Sequence, residues 1–203
     1  MLRIIGDAHG KPEYVELAKQ SEFSVQLGDL AFDYSHLREL DYTRHVFIPG
    51  NHENYDKLPL HALPQFGQFQ LGPYSFFYVR GAFSIDMKYR RIGIDWWEQE
   101  QLSQEQLDSC VELYSRLKPD LVLTHDAPSS IGNSLFPTGI LERFGWPVPF
   151  YTNTSVALEE MLNLHRPKNW FFGHFHQSLT LNQIDGTNFR CLDELETFDL
   201  SIP

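Results

Sequence analysis

Short apolar runs of strand length alternate with segments of helical character in the first half of the chain. Leu2–Ile5, Phe23–Leu27 and His45–Ile48 are predicted strands. Pro12–Lys19 is a predicted helix, since proline is tolerated in the first helical turn. Gln68–Ile85 is aromatic with a β-like pattern, and it predicts two or three further strands.

The second half of the chain continues this alternation and ends in a predicted hairpin. Ser103–Leu117 is a predicted helix that begins with the capping-box sequence Ser103-Gln104-Glu105-Gln106. The other predicted elements are strand Leu121–Thr124, helix Thr154–His165, strand Trp170–Phe172 and the hairpin strands Ser178–Leu181 and Thr187–Leu192. The dipeptide Asp185-Gly186 indicates the hairpin turn.

Strands that alternate with helices predict an α/β fold, layered in the α+β manner. No second domain boundary is visible, so we expect residues 1–203 to form a single domain. The stretch from Asp126 to Tyr151 is rich in proline, glycine and aromatic residues and contains no predicted element. Because a structureless loop of this length is uncommon and often functional, we expect it to contribute to a site.

The composition restricts the partners and the compartment. The formal net charge of −11 argues against broad electrostatic capture of nucleic acid. No apolar run approaches the roughly 20 residues of a membrane helix, and the N-terminus lacks a signal-peptide pattern. We therefore expect no membrane association and a cytoplasmic location. The two cysteines, Cys110 and Cys191, are predicted to be free thiols.

Five polar segments each follow directly on an apolar, strand-like run. They are Gly6-Asp7-Ala8-His9-Gly10, Gly28-Asp29, Gly50-Asn51-His52-Glu53, Thr124-His125 and Gly173-His174-Phe175-His176. Ligands of α/β sheets bind beyond the carboxyl ends of strands, where glycine lets the backbone turn sharply. Taken singly, a Gly-Asp pair is usually a turn and a lone histidine is usually structural. The shared strand context of all five segments favours a common site.

The side chains of these segments are typical of a metal centre. Asp7 and His9 are two residues apart and lie on one side of an extended chain, as do His174 and His176. Carboxylate, imidazole and amide groups without a thiolate suit manganese, iron, zinc or similar ions. The set is too large for one open catalytic site, and it predicts two ions that share a carboxylate.

The motif order resembles that of the calcineurin-like metallophosphoesterase family, namely DxH, GD, GNH(D/E), H and GHxH. Here these motifs run from Asp7 to His176, over most of the chain. The resemblance implies a β-sandwich of two mixed sheets flanked by helices. It also implies one ion held by Asp7, His9, Asp29 and His176, and a second held by Asp29, Asn51, His125 and His174. Asp29 would bridge the two ions.

The same resemblance implies hydrolysis of phosphate esters with two divalent cofactor ions. Manganese is the first choice, with iron, zinc, cobalt or nickel as alternatives. A hydroxide bridging the ions would attack phosphorus, because each metal lowers the pKa of its bound water. His52 lies next to ligand Asn51 and would protonate the leaving oxygen as the general acid.

The second motif departs from the GDxVDRG sequence of the family's protein Ser/Thr phosphatases. Here it reads Gly28-Asp29-Leu30-Ala31-Phe32-Asp33. Phe32 replaces the aspartate that would orient the catalytic histidine, and the following arginine is absent. Asp33 and Glu53 are both candidates to orient His52. The missing arginine argues against a protein phosphatase, although the GNHE form of the third motif is the one that those enzymes carry.

A basic cluster around the second β region offers a replacement for this arginine. It contains Arg80, Lys88, Arg90 and Arg91. Such a cluster is usually a solvated surface. A phosphoryl group gains from an arginine fork on its outer oxygens, so we predict that Arg80, Arg90 or Arg91 binds substrate together with the Asp126–Tyr151 segment.

These residues leave three functions open. The leading hypothesis is a phosphomonoesterase that acts on a phosphorylated small molecule or a phosphoprotein. The alternative is a phosphodiesterase for cyclic nucleotides or other small diesters, which the same metal centre would serve. The third is a non-catalytic scaffold with a decayed metal site. The presence of every motif ligand and of His52 argues against that scaffold.

Overall fold

Ten strands in the described residues, 1–182 and 186–201, form two sheets in the computed structural model of the protein. They are β1 (Leu2–Ile5), β2 (Phe23–Gln26), β3 (His45–Phe47), β4 (Phe66–Leu71), β5 (Tyr74–Val79), β6 (Leu121–Thr124), β7 (Asn169–Phe172), β8 (Leu179–Asn182), β9 (Asn188–Cys191) and β10 (Thr197–Leu200). The helices are α1 (Glu13–Lys19), α2 (Gln104–Leu117), α3 (Ser129–Gly132), α4 (Ile140–Phe144) and α5 (Asn153–Leu164). Short 3-10 helices cover Ser35–Glu39, Met87–Tyr89 and Glu98–Glu100.

Both sheets are mixed. The four-stranded sheet has the order β10-β1-β2-β3, with β1, β2 and β3 parallel and β10 antiparallel to β1. The six-stranded sheet has the order β4-β5-β6-β7-β9-β8, in which the four inner strands are parallel and both edge strands are antiparallel. The predicted sandwich of two mixed sheets is confirmed.

The strands bury side chains on both faces, which creates three apolar layers. Between the sheets, residues such as Ile4 and Val25 pack with Phe76 and Leu123. The outer face of the six-stranded sheet packs against α2 and α5, where Trp170 is fully buried. Helix α1 covers the outer face of the four-stranded sheet. This two-sided burial explains why the strands read as continuous apolar runs.

Local signals in the sequence account for much of this architecture. Helix α2 begins with the predicted capping box, in which Ser103 accepts from the Gln106 backbone and Gln106 bonds back. The predicted hairpin is confirmed by the antiparallel pairing of β8 with β9. Its turn residue Asp185 lies outside the described residues. Cys110 and Cys191 are buried free thiols, as predicted.

Two sequence predictions need correction. The Asp126–Tyr151 stretch is not structureless, since it contains helices α3 and α4. Both are short, of four and five residues, so they show too little periodicity for sequence analysis. The second correction is an addition, because sequence analysis predicted no strand where β10 (Thr197–Leu200) lies. Within the described ranges, no helix combines the length and the apolar character needed to cross a bilayer.

Candidate metal centre

The sequence-predicted ligands meet where the carboxyl ends of five parallel strands come together. Strands β1, β2 and β3 of one sheet lead to Asp7 with His9, to Asp29 and to Asn51. Strands β6 and β7 of the other sheet lead to His125 and to His174 with His176. The fold therefore brings together all seven side chains, which are distant in sequence, at one end of the sandwich.

Glycines allow the ligand loops to approach one another closely. A β-carbon on Gly50 would lie 2.2 Å from Asp29 Oδ1 and 2.6 Å from His125 Nε2. A β-carbon on Gly173 would lie 2.1 Å from Asp7 Oδ1. The two glycines thus leave space that polar ligand atoms of other loops occupy, which explains why each precedes a ligand in the sequence.

The backbone is strained at several of the predicted ligands. His9, Asp29, His174 and His176 have φ values of 46°, 57°, 67° and 50°. A positive φ is uncommon for residues other than glycine and costs roughly 1–3 kcal/mol. The fold maintains this strain at four of the seven predicted ligands, as expected where backbone geometry serves a site rather than stability.

The first group of potential ligands consists of Asp7, His9, Asp29 and His176, whose ligand atoms all lie within 4.8 Å of one another. His9 Nε2 is 2.8 Å from His176 Nε2 and 3.8 Å from Asp29 Oδ2. His176 Nε2 is 3.3 Å from Asp7 Oδ2. The other ring nitrogen of His176 faces Glu194 at 3.5 Å, an arrangement that orients a metal-binding imidazole.

The second group consists of Asp29, His125 and His174, with Asn51 beside it. His125 Nε2 is 3.3 Å from Asp29 Oδ1 and 3.1 Å from Asn51 Oδ1. His125 Nδ1 lies 2.7 Å from the Leu27 carbonyl oxygen, to which it can only donate. That bond places the proton on Nδ1 and leaves Nε2 as a lone pair that faces the group.

Asp29 belongs to both groups and divides its oxygens between them. Oδ1 faces His125 of the second group, and Oδ2 faces His9 of the first group. The donors are carboxylate, imidazole and amide groups, which suit divalent transition ions. The residues present therefore fit two ions that share one carboxylate. Geometry of this kind is compatible with the ligand roles predicted from the sequence, which remain predictions.

The protonation of the buried side chains suits cation binding. Burial alone would raise the pKa of Asp7, but its interactions with the nearby His176 and His9 rings outweigh burial and hold the pKa below its usual range. Burial lowers the pKa of His174 to about 3. Asp7 is thus ionised and His174 neutral at neutral pH, which are the forms that bind metals.

A buried relay of hydrogen bonds fixes the amide of Asn51. Its Nδ2 donates to Ser84 Oγ at 3.1 Å, and the Ser84 hydroxyl donates to Glu100 Oε2 at 2.8 Å. The Ser84 backbone N–H also donates to Glu100 Oε1 at 2.9 Å. Burial raises the pKa of Glu100 to about 7, although the hydrogen bonds from Ser84 act to lower it. With Nδ2 engaged in this way, Asn51 Oδ1 points to the second ligand group.

His52 contacts an arginine rather than a carboxylate. Arg90 Nη2 lies 2.7 Å from His52 Nε2, and Arg90 Nε pairs with Asp86 at 2.8 Å. Because arginine can only donate, His52 Nε2 is the acceptor in this structure. Burial lowers the pKa of His52, and the charge of Arg90 lowers it further.

The structure does not bring the two candidate orienting carboxylates to the His52 ring. Asp33 accepts from the backbone and hydroxyl of Ser35 in a local turn. Glu53 is fully buried and accepts from the Leu30 backbone and the Tyr34 hydroxyl. These bonds hold the motif loops together, because Leu30 and Glu53 come from different ligand segments.

Of the three predicted substrate arginines, Arg90 alone lines the cavity that adjoins the predicted ligands. Arg80 is directed elsewhere, with its guanidinium 4.9 Å from the Tyr55 ring centre. Arg91 is an exposed side chain that pairs with neighbouring Asp95 at 3.8 Å. Sequence alone could not separate the three, since their difference arises from the turn that carries Arg90 over the site.

The cavity joins the metal centre to the Asp126–Tyr151 segment. Its volume is about 340 Å³. The polar lining residues are Asp29, Asn51, His52, Asp86, Arg90, His174 and His176. The same cavity is lined by Phe136, Pro137, Ile140 and Phe144 of that segment. Sequence analysis missed Ser84, Glu100 and Glu194, which belong to no motif and are recognisable only by their contacts.

Comparison with known proteins identifies one matching family. The sequence profile of the family described as calcineurin-like phosphoesterase matches residues 3–178. No curated protein sequence matches the chain. The match covers all of the motif segments described above.

Solved structures share this fold at low sequence identity. A hypothetical protein from Thermus thermophilus is similar with a TM-score of 0.51 and 15% identity, over 94% of this chain and 75% of that one. The phosphopantetheinyl hydrolase of Mycobacterium tuberculosis has a TM-score of 0.52 and 15% sequence identity. The match covers 95% of this chain and 89% of that one. A Staphylococcus aureus protein assigned as a 5′-nucleotidase, in complex with α-ketoglutarate, has a TM-score of 0.53 and 14% sequence identity. The match covers 95% of this chain and 48% of that one. At these identities the similarity shows the fold.

Proposed function

Since the chain belongs to the calcineurin-like phosphoesterase family, and is thus a metal-dependent phosphoester hydrolase, we propose that it acts on phosphate monoesters of small molecules. The family implies a binuclear centre of divalent ions. Asp7, His9, Asp29 and His176 would hold one ion. Asp29, Asn51, His125 and His174 would hold the other. Bound divalent ions acidify water and offset the charge of phosphoryl oxygens. Manganese remains our first choice of metal.

The position of Arg90 supports a monoester more strongly than a diester. Its guanidinium lines the same cavity as ligand residues of both groups. A monoester dianion carries one more negative charge than a diester, so it gains more from a cation on its outer oxygens. Asp86 accepts from Nε of Arg90 at 2.8 Å, which orients the guanidinium. Arg90 would thus take the role of the arginine that the second motif lacks.

His52 would serve as the general acid. In this structure its Nε2 accepts from Arg90 at 2.7 Å. A phosphate group that binds Arg90 competes with this contact and releases Nε2. The released nitrogen would take up a proton from water and transfer it to the leaving oxygen. Asn51, fixed by Ser84, would contribute its amide oxygen to the second ion.

Hydrolysis of two esters with the same leaving group tests this proposal. With Mn²⁺ added, we expect a higher kcat/KM for p-nitrophenyl phosphate than for bis(p-nitrophenyl) phosphate. Arg90→Ala should reduce kcat/KM more for the monoester, because the dianion depends more on the guanidinium. A preference for the diester would identify a phosphodiesterase. If neither ester is hydrolysed although two ions bind per chain, the protein is a metal-binding scaffold.

A further inference from the structure

The lining of the cavity at the predicted metal centre contains two chemically different sets of residues. One set comprises predicted ligands together with His52, Asp86 and Arg90. The other set includes Ile85, Phe136, Pro137, Ile140 and Phe144, and we call these five residues the apolar wall. With about 340 Å³, the cavity has the size of small-molecule sites, and it exceeds what a phosphate group alone would fill.

The apolar wall is anchored to the metal-binding edge by aromatic contacts. The Phe136 ring lies 5.3 Å from the ring of Phe175, between ring centres. Phe175 lies between the predicted ligands His174 and His176 in sequence and also lines the cavity. Phe136 contacts Phe150 as well, at 5.9 Å. These contacts fix the position of the wall relative to the ions that the site would hold.

The other end of the apolar wall is held by the segment that carries Arg90. The Phe144 ring lies 5.9 Å from the ring of Tyr89. Lys88 donates to the Phe144 carbonyl oxygen. The two segments that line the cavity are thus joined, and the wall is formed before any substrate binds.

The chemistry of the wall determines which part of a substrate it can contact. Its side chains carry no hydrogen-bonding group or charge, whereas the polar lining residues include predicted metal ligands and Arg90. The phosphate must therefore face the metal centre and Arg90, and the organic group must face the wall. A sugar or peptide group there would lose hydrogen bonds to water without replacement, which is costly. An apolar group would gain by burial.

We propose that the substrate is a phosphate ester whose organic group is apolar. This inference rests on the proposed function of the same site. It restricts the substrate further, because phosphorylated sugars and phosphoserine peptides do not present such a group. The residues that determine the specificity are Phe136, Ile140 and Phe144.

Binding of two phosphonates, which cannot be hydrolysed as esters, tests the proposal without an activity measurement. We expect Mn²⁺-loaded protein to bind benzylphosphonate about tenfold to hundredfold more tightly than methylphosphonate in calorimetric titrations. Ile140→Asn should remove most of this difference and leave methylphosphonate affinity unchanged. Phe144→Ala should act in the same direction and serves as the second variant if Ile140→Asn does not fold.

The matched control is Leu164→Ala, an exposed residue at the end of α5 and outside the cavity lining. It should keep the wild-type difference between the two phosphonates. Equal binding of both phosphonates by the wild type would overturn the inference while leaving the proposed function intact. Failure of the metal-loaded protein to bind either phosphonate would overturn the proposed function, and the inference with it.

Discussion

The two ligand groups that meet at Asp29 differ in how firmly the fold holds them. In the second group, His125 and Asn51 are buried, and each has a hydrogen bond that fixes its orientation. In the first group, the side chains of His9 and His176 are 20% and 43% exposed. Glu194, which orients His176, is itself 30% exposed. His125 and Asn51 of the second group are thus enclosed and supported, whereas His9 and His176 of the first group are open to solvent.

This difference indicates different affinities for the two ions. A ligand set that is already fixed loses little conformational freedom when an ion binds. We therefore expect the second group to bind its ion more tightly and to exchange it more slowly than the first. Both groups adjoin the cavity, the first through His176 and the second through Asn51 and His174.

Replacement of Asp29 should have the largest effect, because this residue belongs to both ligand groups. Asp29→Asn removes the negative charge that faces both His9 and His125. We expect both ions to be lost on dialysis, with hydrolysis reduced to background, as measured by elemental analysis and ester assay. Asp33→Asn, in the same loop but bonded to Ser35, is the control and should retain two ions. Two ions bound at normal affinity in Asp29→Asn would contradict the bridging role.

Replacement of the proposed general acid should leave both ligand groups intact. His52→Asn should reduce kcat by roughly 10²–10⁴ while two ions remain bound. The loss should be smaller for esters with good leaving groups, since these need little protonation. Rate measurements on a series of aryl and alkyl phosphates would check this. A loss of equal size across the series would instead assign His52 a positioning role.

Removal of the cavity arginine should affect substrate rather than metals. Arg90→Ala should lower kcat/KM by about 1.5–3 kcal/mol, the value of a hydrogen bond to a charged group. Arg91→Ala is the matched control, because this neighbouring arginine is exposed and pairs with Asp95. Steady-state kinetics with added Mn²⁺ would measure both. Unchanged kcat/KM in Arg90→Ala would mean that the phosphate is held without this residue.

Ser84 and Glu194 each contact a predicted ligand of one group, so their replacement tests whether the two ions bind independently. We expect the smallest effects here. Ser84→Ala breaks the relay to Asn51 and should weaken the tighter ion alone, by about tenfold to hundredfold. Glu194→Gln alters the partner of His176 and should weaken only the looser ion. Equilibrium dialysis with Mn²⁺ would give both constants. Equal weakening of both ions by either variant would show that the groups are coupled.

The same contrast explains how much of the site sequence analysis could find. All seven predicted ligands lie in short motifs after strands, because sheet topology brings strand ends together and glycine permits the tight loops. The residues that hold the predicted ligands in place, such as Ser84, Glu100 and Glu194, lie in no motif. Glu100 is one glutamate among the exposed polar residues near it in sequence, and only the folded structure shows that it is buried against Ser84.

For the fold, the apolar runs predicted the strands and the capping box predicted the start of α2. Helices α3 and α4 are too short to show a period, and the segment between them is anchored by a tertiary contact between Phe136 and Phe175. The same holds for Arg90, whose proximity to His52 is a long-range contact. Sequence therefore predicts the strands well and the motif residues that the fold brings together, but it predicts poorly which residues of distant segments line the cavity.

Titration of metal-stripped protein with Mn²⁺ tests the two-ion account most directly. Bound metal is measured by elemental analysis, and hydrolysis of p-nitrophenyl phosphate is followed in the same samples. We predict two ions per chain, little hydrolysis while the first and tighter ion binds, and activity that rises as the second and looser ion binds. Full activity in the stripped protein, or saturation at one ion per chain, would contradict the account.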